Sequence, residues 1–139
     1  MSESLPMSAL VRRLQQRSLL VSAPATEIGI TGIADDSRRV APGDLFCAWA
    51  GSTSDAHGYV AAAAAQGAVA ALVEREVSDA RIPQVVVRDG RRAAALAAGM
   101  FYGDPEQRLR VVGVTGTNGK TTSVWMLRHL LSQRAPAAS

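Results

Sequence analysis

LRVVGVTGTNGKTT, at residues 109–122, is the most informative segment of this chain. It contains an apolar run and a glycine-rich loop, and a second apolar stretch follows it. The near-continuous apolar run at residues 109–114 is typical of a central parallel strand that is covered on both faces. Residues 120–131 predict a helix that follows the loop directly. A strand, a loop and a helix in this order predict a site that holds phosphate at the start of the helix.

The loop offers the three groups that a triphosphate needs: backbone N–H donors, a cation and a hydroxyl for a metal ion. Gly116 and Gly119 permit unusual backbone angles and leave room for phosphate oxygens. We expect Lys120 to reach the outer phosphates as the catalytic cation, and Thr121 to place its hydroxyl on Mg²⁺. The predicted ATP-binding residues are Gly116, Thr117, Asn118, Gly119, Lys120, Thr121 and Thr122. The loop is a variant, because Val114 stands where the strict pattern G-x-x-x-x-G-K-[ST] requires its first glycine, and a turn that binds nothing is the alternative.

Upstream of this loop, helical and extended patterns alternate along the chain. Apolar side chains at helical spacing in residues 8–20 predict a helix that lies on a sheet. Extended segments are predicted around Ile28, Ile30 and Ile33 and at residues 45–49, 68–73 and 84–87, and alanine-rich helices at residues 59–66 and 91–102. Gly67 is expected to end the first of these two helices. The alternation indicates an α/β sandwich.

The polar, breaker-rich segment Gly103-Asp104-Pro105-Glu106-Gln107-Arg108 predicts a domain boundary. We expect a first domain at residues 1–103, a linker at 104–108 and the start of a second domain at 109–139. One strand and one helix cannot cover both faces of a parallel strand or complete its ladder, so the second domain is predicted to be truncated. The alternative is that this strand and helix add to an edge of the first domain.

Composition narrows the possible partners. The 15 Lys and Arg residues are spread among 12 Asp and Glu, and aromatic residues make up 4% of the chain, which does not favour a nucleic-acid surface. No segment has the features of a signal peptide or a membrane span, so a cytoplasmic protein is expected. Cys47 lies in an apolar run and predicts a buried side chain, and core packing is likewise expected for Trp49, Met100, Phe101 and Trp125.

Two segments together resemble the Mur ligase family. TGTNGKTT at residues 115–122 is similar to the ATP loop of this family and of its folylpolyglutamate synthetase relatives. DSRRVAPGDLF at residues 36–46 resembles the uridine-nucleotide signature of the amino-terminal Mur ligase domain, which those synthetases lack. FYGDP at residues 101–105 resembles the MurE type in particular, and the resemblance covers roughly residues 28–131.

The resemblance implies an α/β fold in which a uridine-nucleotide-binding domain precedes the first strand, loop and helix of a P-loop ATPase domain. It implies an ATP-dependent amide ligase of peptidoglycan precursor synthesis that uses Mg²⁺. Such an enzyme phosphorylates the D-glutamate carboxylate of UDP-N-acetylmuramoyl-L-alanyl-D-glutamate and joins diaminopimelate or L-lysine to the acyl phosphate. These small molecules are the implied partners. The residues implied to contact the uridine nucleotide are Asp35, Ser37, Ser52, Thr53 and Ser54.

Several alternatives stay open at this point. A MurF-type ligase, which adds D-alanyl-D-alanine, and a binding module without chemistry both contain a domain of this kind, and the chain by itself is expected to be inactive. The pair Asp36 and Arg38 either contacts the ligand or holds its own loop through an internal ion pair. For His57, a hydrogen bond that closes a loop is favoured over a role as catalytic base.

Overall fold

The computed structural model describes residues 4–110 and 112–133, and of Glu106 only the backbone. The strands are β1 (Leu5–Pro6), β2 (Leu20–Ser22), β3 (Gly29–Ile30), β4 (Gly32–Ala34), β5 (Asp44–Cys47), β6 (Ala70–Val73) and β7 (Gln84–Val87). The helices are α1 (Met7–Gln16), α2 (Val60–Gln66), α3 (Gly90–Phe101) and α4 (Lys120–Ser132). Contacts between Cα atoms divide the chain into two compact units, residues 1–105 and 106–139.

A five-stranded sheet lies at the centre of the first unit, in the order β2-β7-β6-β5-β4. The four strands from β4 to β7 run parallel, and β2 pairs antiparallel with β7. A separate antiparallel ribbon joins β1 to β3. The helix α2 connects β5 to β6, as a crossover between parallel neighbours requires.

The side chains of β5 alternate between two apolar layers. Leu45 and Cys47 belong to the layer that contains buried residues of α1 and α3, whereas Phe46 belongs to the layer that contains buried residues of α2. Helices therefore cover both faces of the sheet, which explains why its parallel strands are apolar throughout. This arrangement confirms the predicted α/β sandwich.

Most elements of the first unit agree with the sequence pattern. β7 has the predicted bounds, α2 begins one residue later than predicted, and α3 both begins and ends one residue earlier than predicted. Gly67 ends α2 with a left-handed φ of 111°, a backbone conformation that glycine adopts without strain.

The predicted first helix was too long, since α1 ends at Gln16. Ser18 adopts a left-handed φ of 57°, and the Leu19 N–H donates to the Leu14 carbonyl at 2.9 Å, so the chain reverses there. Leu20 then begins β2 instead of the last turn of a helix. A non-glycine residue in this conformation is uncommon, and the sequence gives no signal for it.

In the second unit, the helix is confirmed and the predicted strand is wrong. Residues 109, 110 and 112–114 belong to no strand, and Val111 lies outside the described residues. A strand exists only beside a hydrogen-bonded neighbour, and the described residues provide none for this segment. Trp125, expected in a core, is 64% exposed, whereas Trp49 and Met100 pack against the core as predicted. Among the described residues, no helix is both long and apolar enough to span a bilayer.

Candidate functional site

The carboxyl ends of the parallel strands form the edge of the sheet where polar residues collect. Asp35 directly follows β4, and Glu74 directly follows β6. A cavity of about 670 Å³ opens at this edge. Open α/β sheets bind ligands outside the carboxyl ends of their strands, so the cavity is the candidate ligand site of the first unit.

The structure brings three of the five predicted nucleotide contacts into the lining of this cavity. Asp35, Ser37 and Ser54 line it, together with the aromatic side chains of Trp49 and Tyr59. The other two predicted contacts, Ser52 and Thr53, are exposed on the loop that carries Ser54 but are not part of the lining. Whether any of these residues binds a nucleotide stays a prediction.

Ser37–Arg39 form a short 3-10 helix, and an ion pair between Asp36 and Arg38 stabilises it. The Asp36 carboxylate accepts hydrogen bonds from Arg38 N at 3.0 Å, Nε at 2.9 Å and Nη2 at 2.7 Å. The side-chain hydrogen bond from Arg38 lowers the pKa of Asp36 to about 2. The internal ion pair, which was one of the two roles predicted for Asp36 and Arg38, is therefore formed. Both residues also line the cavity.

The loop at residues 51–54 is a tight reversal of the chain after β5. Ala50 and Asp55 form an isolated antiparallel bridge, and the Gly51 N–H donates to the Ser54 carbonyl at 2.8 Å. A Cβ atom on Gly51 would lie 2.7 Å from that carbonyl oxygen, so a side chain would force the loop to shift. The turn leaves Ser52 and Thr53 exposed at its tip.

His57 is almost completely buried, with 1% of its surface exposed, and hydrogen bonds occupy both of its ring nitrogens. Nε2 accepts from the Glu74 N–H at 2.9 Å, so in the neutral ring Nδ1 carries the proton and donates to Asp55 Oδ1 at 2.6 Å. The predicted loop-closing role is confirmed, and neither nitrogen is free to act as a base. Arg75 donates to Asp55 Oδ2 at 2.6 Å, and the Arg75 and His57 hydrogen bonds hold the pKa of Asp55 well below its usual range.

Sequence reasoning missed Glu74, which joins three elements at this edge. Its Oε2 accepts from the Ala50 N–H at 3.1 Å, and its Oε1 accepts from the Gly90 N–H at 2.8 Å. A Cβ atom on Gly90 would lie 2.6 Å from the Trp49 Cβ, so glycine permits this close approach. A carboxylate directly after the apolar strand at residues 70–73 was the available signal, but the sequence did not name its partners.

In the second unit, the predicted phosphate loop forms an open bend before α4. Gly119 caps the helix with a left-handed φ of 75°, and a Cβ atom there would meet nothing within 4 Å. Lys120 Nζ donates to the Gly116 carbonyl at 2.6 Å, which places the ammonium group against the loop. The first helical backbone hydrogen bond runs from Ser123 to Gly119. The N–H groups of residues 120–122 are those that a helix leaves without internal acceptors.

These features suit a polyphosphate. The bend is not collapsed, the helix presents its positive end, and one ammonium group lies beside it. Thr121 offers one hydroxyl, and Mg²⁺ commonly takes its other ligands from water and phosphate oxygens. In the described part of the chain, no cluster of three or more His, Cys, Asp or Glu residues suggests a separate metal site.

The first unit is thus an open α/β domain with a ligand-sized cavity at the carboxyl edge of its sheet. The family model described as "Mur ligase family, catalytic domain" matches residues 29–112. The chain belongs to the Mur ligase family.

Named relatives and solved structures of the same family are similar to this chain. UDP-N-acetylmuramoyl-L-alanyl-D-glutamate–2,6-diaminopimelate ligase of Listeria monocytogenes is 48% identical over 76% of this chain and 21% of its own length. A crystal structure of MurF from Acinetobacter baumannii covers 94% of this chain and 28% of its own, with 37% identity and a TM-score of 0.66. The crystal structure of MurF ligase from Thermotoga maritima in complex with ADP covers 73% of this chain and 23% of its own chain, with 28% identity and a TM-score of 0.54. The chain spans about a fifth of the length of the Listeria relative.

Proposed function

We propose that this chain is the uridine-nucleotide-binding part, with the start of the ATPase part, of a MurE-type amide ligase. The ligase would join an amino acid to UDP-N-acetylmuramoyl-L-alanyl-D-glutamate during peptidoglycan precursor synthesis in the cytoplasm. The observation that carries the proposal is the 48% identity to a ligase named for this substrate. The name of that relative also favours diaminopimelate over lysine as the added amino acid.

In this proposal, residues 1–103 bind the uridine nucleotide, and residues 109–139 begin the ATP-binding domain. Residues 104–108 form the linker between the two domains. A cavity of about 670 Å³ lies within the range of small-molecule pockets. Ser37 and Ser54 line it and can donate hydroxyl hydrogen bonds. Ser52 and Thr53 extend the same set of donors beyond the lining, where a diphosphate could meet them without a charged side chain.

Lys120 and Thr121 would serve the first half of the reaction. The Lys120 ammonium group lies at the phosphate loop and would stabilise negative charge on the phosphoryl group during transfer. Thr121 would hold Mg²⁺ together with the outer phosphates of ATP. When bound, Mg²⁺ neutralises charge on the phosphate oxygens. The carboxylate of the substrate would become an acyl phosphate, and the amino group of the incoming amino acid would displace phosphate to form the amide.

Phosphate release tests the proposal. The protein expressed from the complete reading frame that contains residues 1–139 is given ATP, Mg²⁺ and the UDP-dipeptide, with diaminopimelate, with lysine or with neither. We expect phosphate and a UDP-tripeptide to appear only when an amino acid is present, and faster with diaminopimelate. Absence of phosphate release under all three conditions would mean that the ligase assignment is wrong.

The similarity to solved MurF structures favours a second candidate, a ligase that adds D-alanyl-D-alanine. The same assay with a UDP-tripeptide and D-alanyl-D-alanine separates the two, because each type should use only its own acceptor pair. A binding module without chemistry is a third candidate, since residues 1–105 form a compact unit by themselves. Uridine-nucleotide binding without phosphate release in any assay would favour it.

A further inference from the structure

We propose that Glu74 and His57 are positioning residues that hold both ends of the loop at residues 51–54 for the phosphate groups of a nucleoside diphosphate. This inference rests on the proposed function, in which the cavity takes a uridine nucleotide. Both residues act through the loop, and neither is expected to touch the ligand.

Glu74 holds the first end of the loop. Its carboxylate accepts from the N–H of Ala50, the residue before the loop, at 3.1 Å. The second carboxylate oxygen accepts from the Gly90 N–H at 2.8 Å, at the start of α3. Because Glu74 directly follows β6, one side chain joins the ends of three neighbouring elements.

His57 holds the second end. Asp55, the residue after the loop, accepts from the His57 N–H at 3.0 Å and from His57 Nδ1 at 2.6 Å. The other ring nitrogen of His57 accepts from the Glu74 N–H at 2.9 Å. Arg75 adds a contact to Asp55 Oδ2 at 2.6 Å. Glu74 and Arg75, the two residues after β6, therefore contact both ends of the loop, and His57 connects Glu74 to the second end.

Fixed ends matter because the loop carries uncharged donors. Ser52, Thr53 and Ser54 are exposed, and the Gly51 N–H is already bound to the Ser54 carbonyl. A loop that is ordered before binding loses less conformational freedom when the ligand arrives. Release of one end should therefore weaken binding of the phosphate groups selectively.

Calorimetric titration of the 139-residue chain with UDP and with UMP tests this inference, because the two probes differ by one phosphate. In Glu74→Gln, an amide nitrogen replaces one acceptor oxygen, so one of two backbone N–H groups loses its partner. We expect the Kd for UDP to rise about tenfold while the Kd for UMP stays within about twofold. Glu76→Gln, the same chemical change at an exposed neighbour, should change neither value.

Each other outcome has a definite meaning. Equal weakening of UDP and UMP, or an unchanged Kd for UDP, would overturn the positioning role. If Glu74→Gln does not fold, Arg75→Ala replaces it at the other end of the loop, with an expected selective loss of about threefold. An unmodified chain that binds neither probe would refute uridine-nucleotide binding itself, whereas binding without a selective loss in the variants refutes only this inference.

Discussion

Replacement of Gly90 by alanine tests the packing at the carboxyl edge of the sheet most directly. The added Cβ atom would lie 2.6 Å from the Trp49 Cβ and 3.1 Å from Glu74 Oε1. The Trp49 Cβ cannot rotate away, because it is attached directly to the backbone of the segment after β5. Either this segment or the start of α3 must therefore move.

The expected cost follows from these contacts. Overpacking by one carbon in a closely packed site typically costs about 1–3 kcal/mol of unfolding free energy. Alanine normally favours a helix over glycine by up to about 1 kcal/mol, which offsets part of this cost. We expect Gly90→Ala to lose about 1–2 kcal/mol overall. Gly58→Ala is the matched control, since a Cβ atom there meets nothing within 4 Å, and its effect should stay within about 0.5 kcal/mol.

Urea unfolding of the 139-residue chain, followed by far-UV circular dichroism, measures both variants. With a denaturant slope of about 2 kcal/mol per molar, the midpoint of Gly90→Ala should fall by roughly 0.5–1 M. The midpoint of Gly58→Ala should match that of the unmodified chain. If Gly90→Ala unfolds at the same urea concentration as Gly58→Ala, the close approach of Trp49 to α3 is not present in solution.

Three further predictions concern single side chains. Lys120→Ala, made in the protein from the complete reading frame, should lower ATP-dependent turnover by orders of magnitude and leave the Kd for the uridine nucleotide nearly unchanged. A comparable loss of turnover and of uridine-nucleotide affinity would refute separate sites for the two ligands. Because the folded-state pKa of Asp55 is lowered, its stabilising effect is complete above about pH 4 and is lost as the pH falls through the folded-state value. Asp55→Asn should therefore flatten the acid side of a stability–pH curve, and an unchanged slope would contradict this assignment. Burial raises the pKa of the Cys47 thiol to about 12, so a thiol reagent at pH 8 should react with it only after urea unfolding. Rapid labelling of the native chain would show instead that β5 is accessible.

Local patterns were sufficient wherever neighbours in sequence decide the structure. The apolar run at residues 84–87 is a strand with the predicted bounds, and Gly67 ends its helix as expected. The helix after the phosphate loop also begins at Lys120 as predicted. Asp35, Ser37 and Ser54 line the cavity. These residues were predicted from a family resemblance, and their contact with a nucleotide stays a prediction.

Local sequence was enough to predict the alternation of helices and strands, the apolar faces and the glycine turns, because these depend on side-chain period and backbone freedom over a few residues. Contacts between groups that are far apart in the sequence depend instead on how the whole chain folds. Glu74 accepts hydrogen bonds from residues 24 positions before it and 16 positions after it, and no local pattern specifies such partners. For the same reason residues 109–114 were predicted as a strand from their apolar character, although a strand also requires a paired neighbour, which the described residues do not supply.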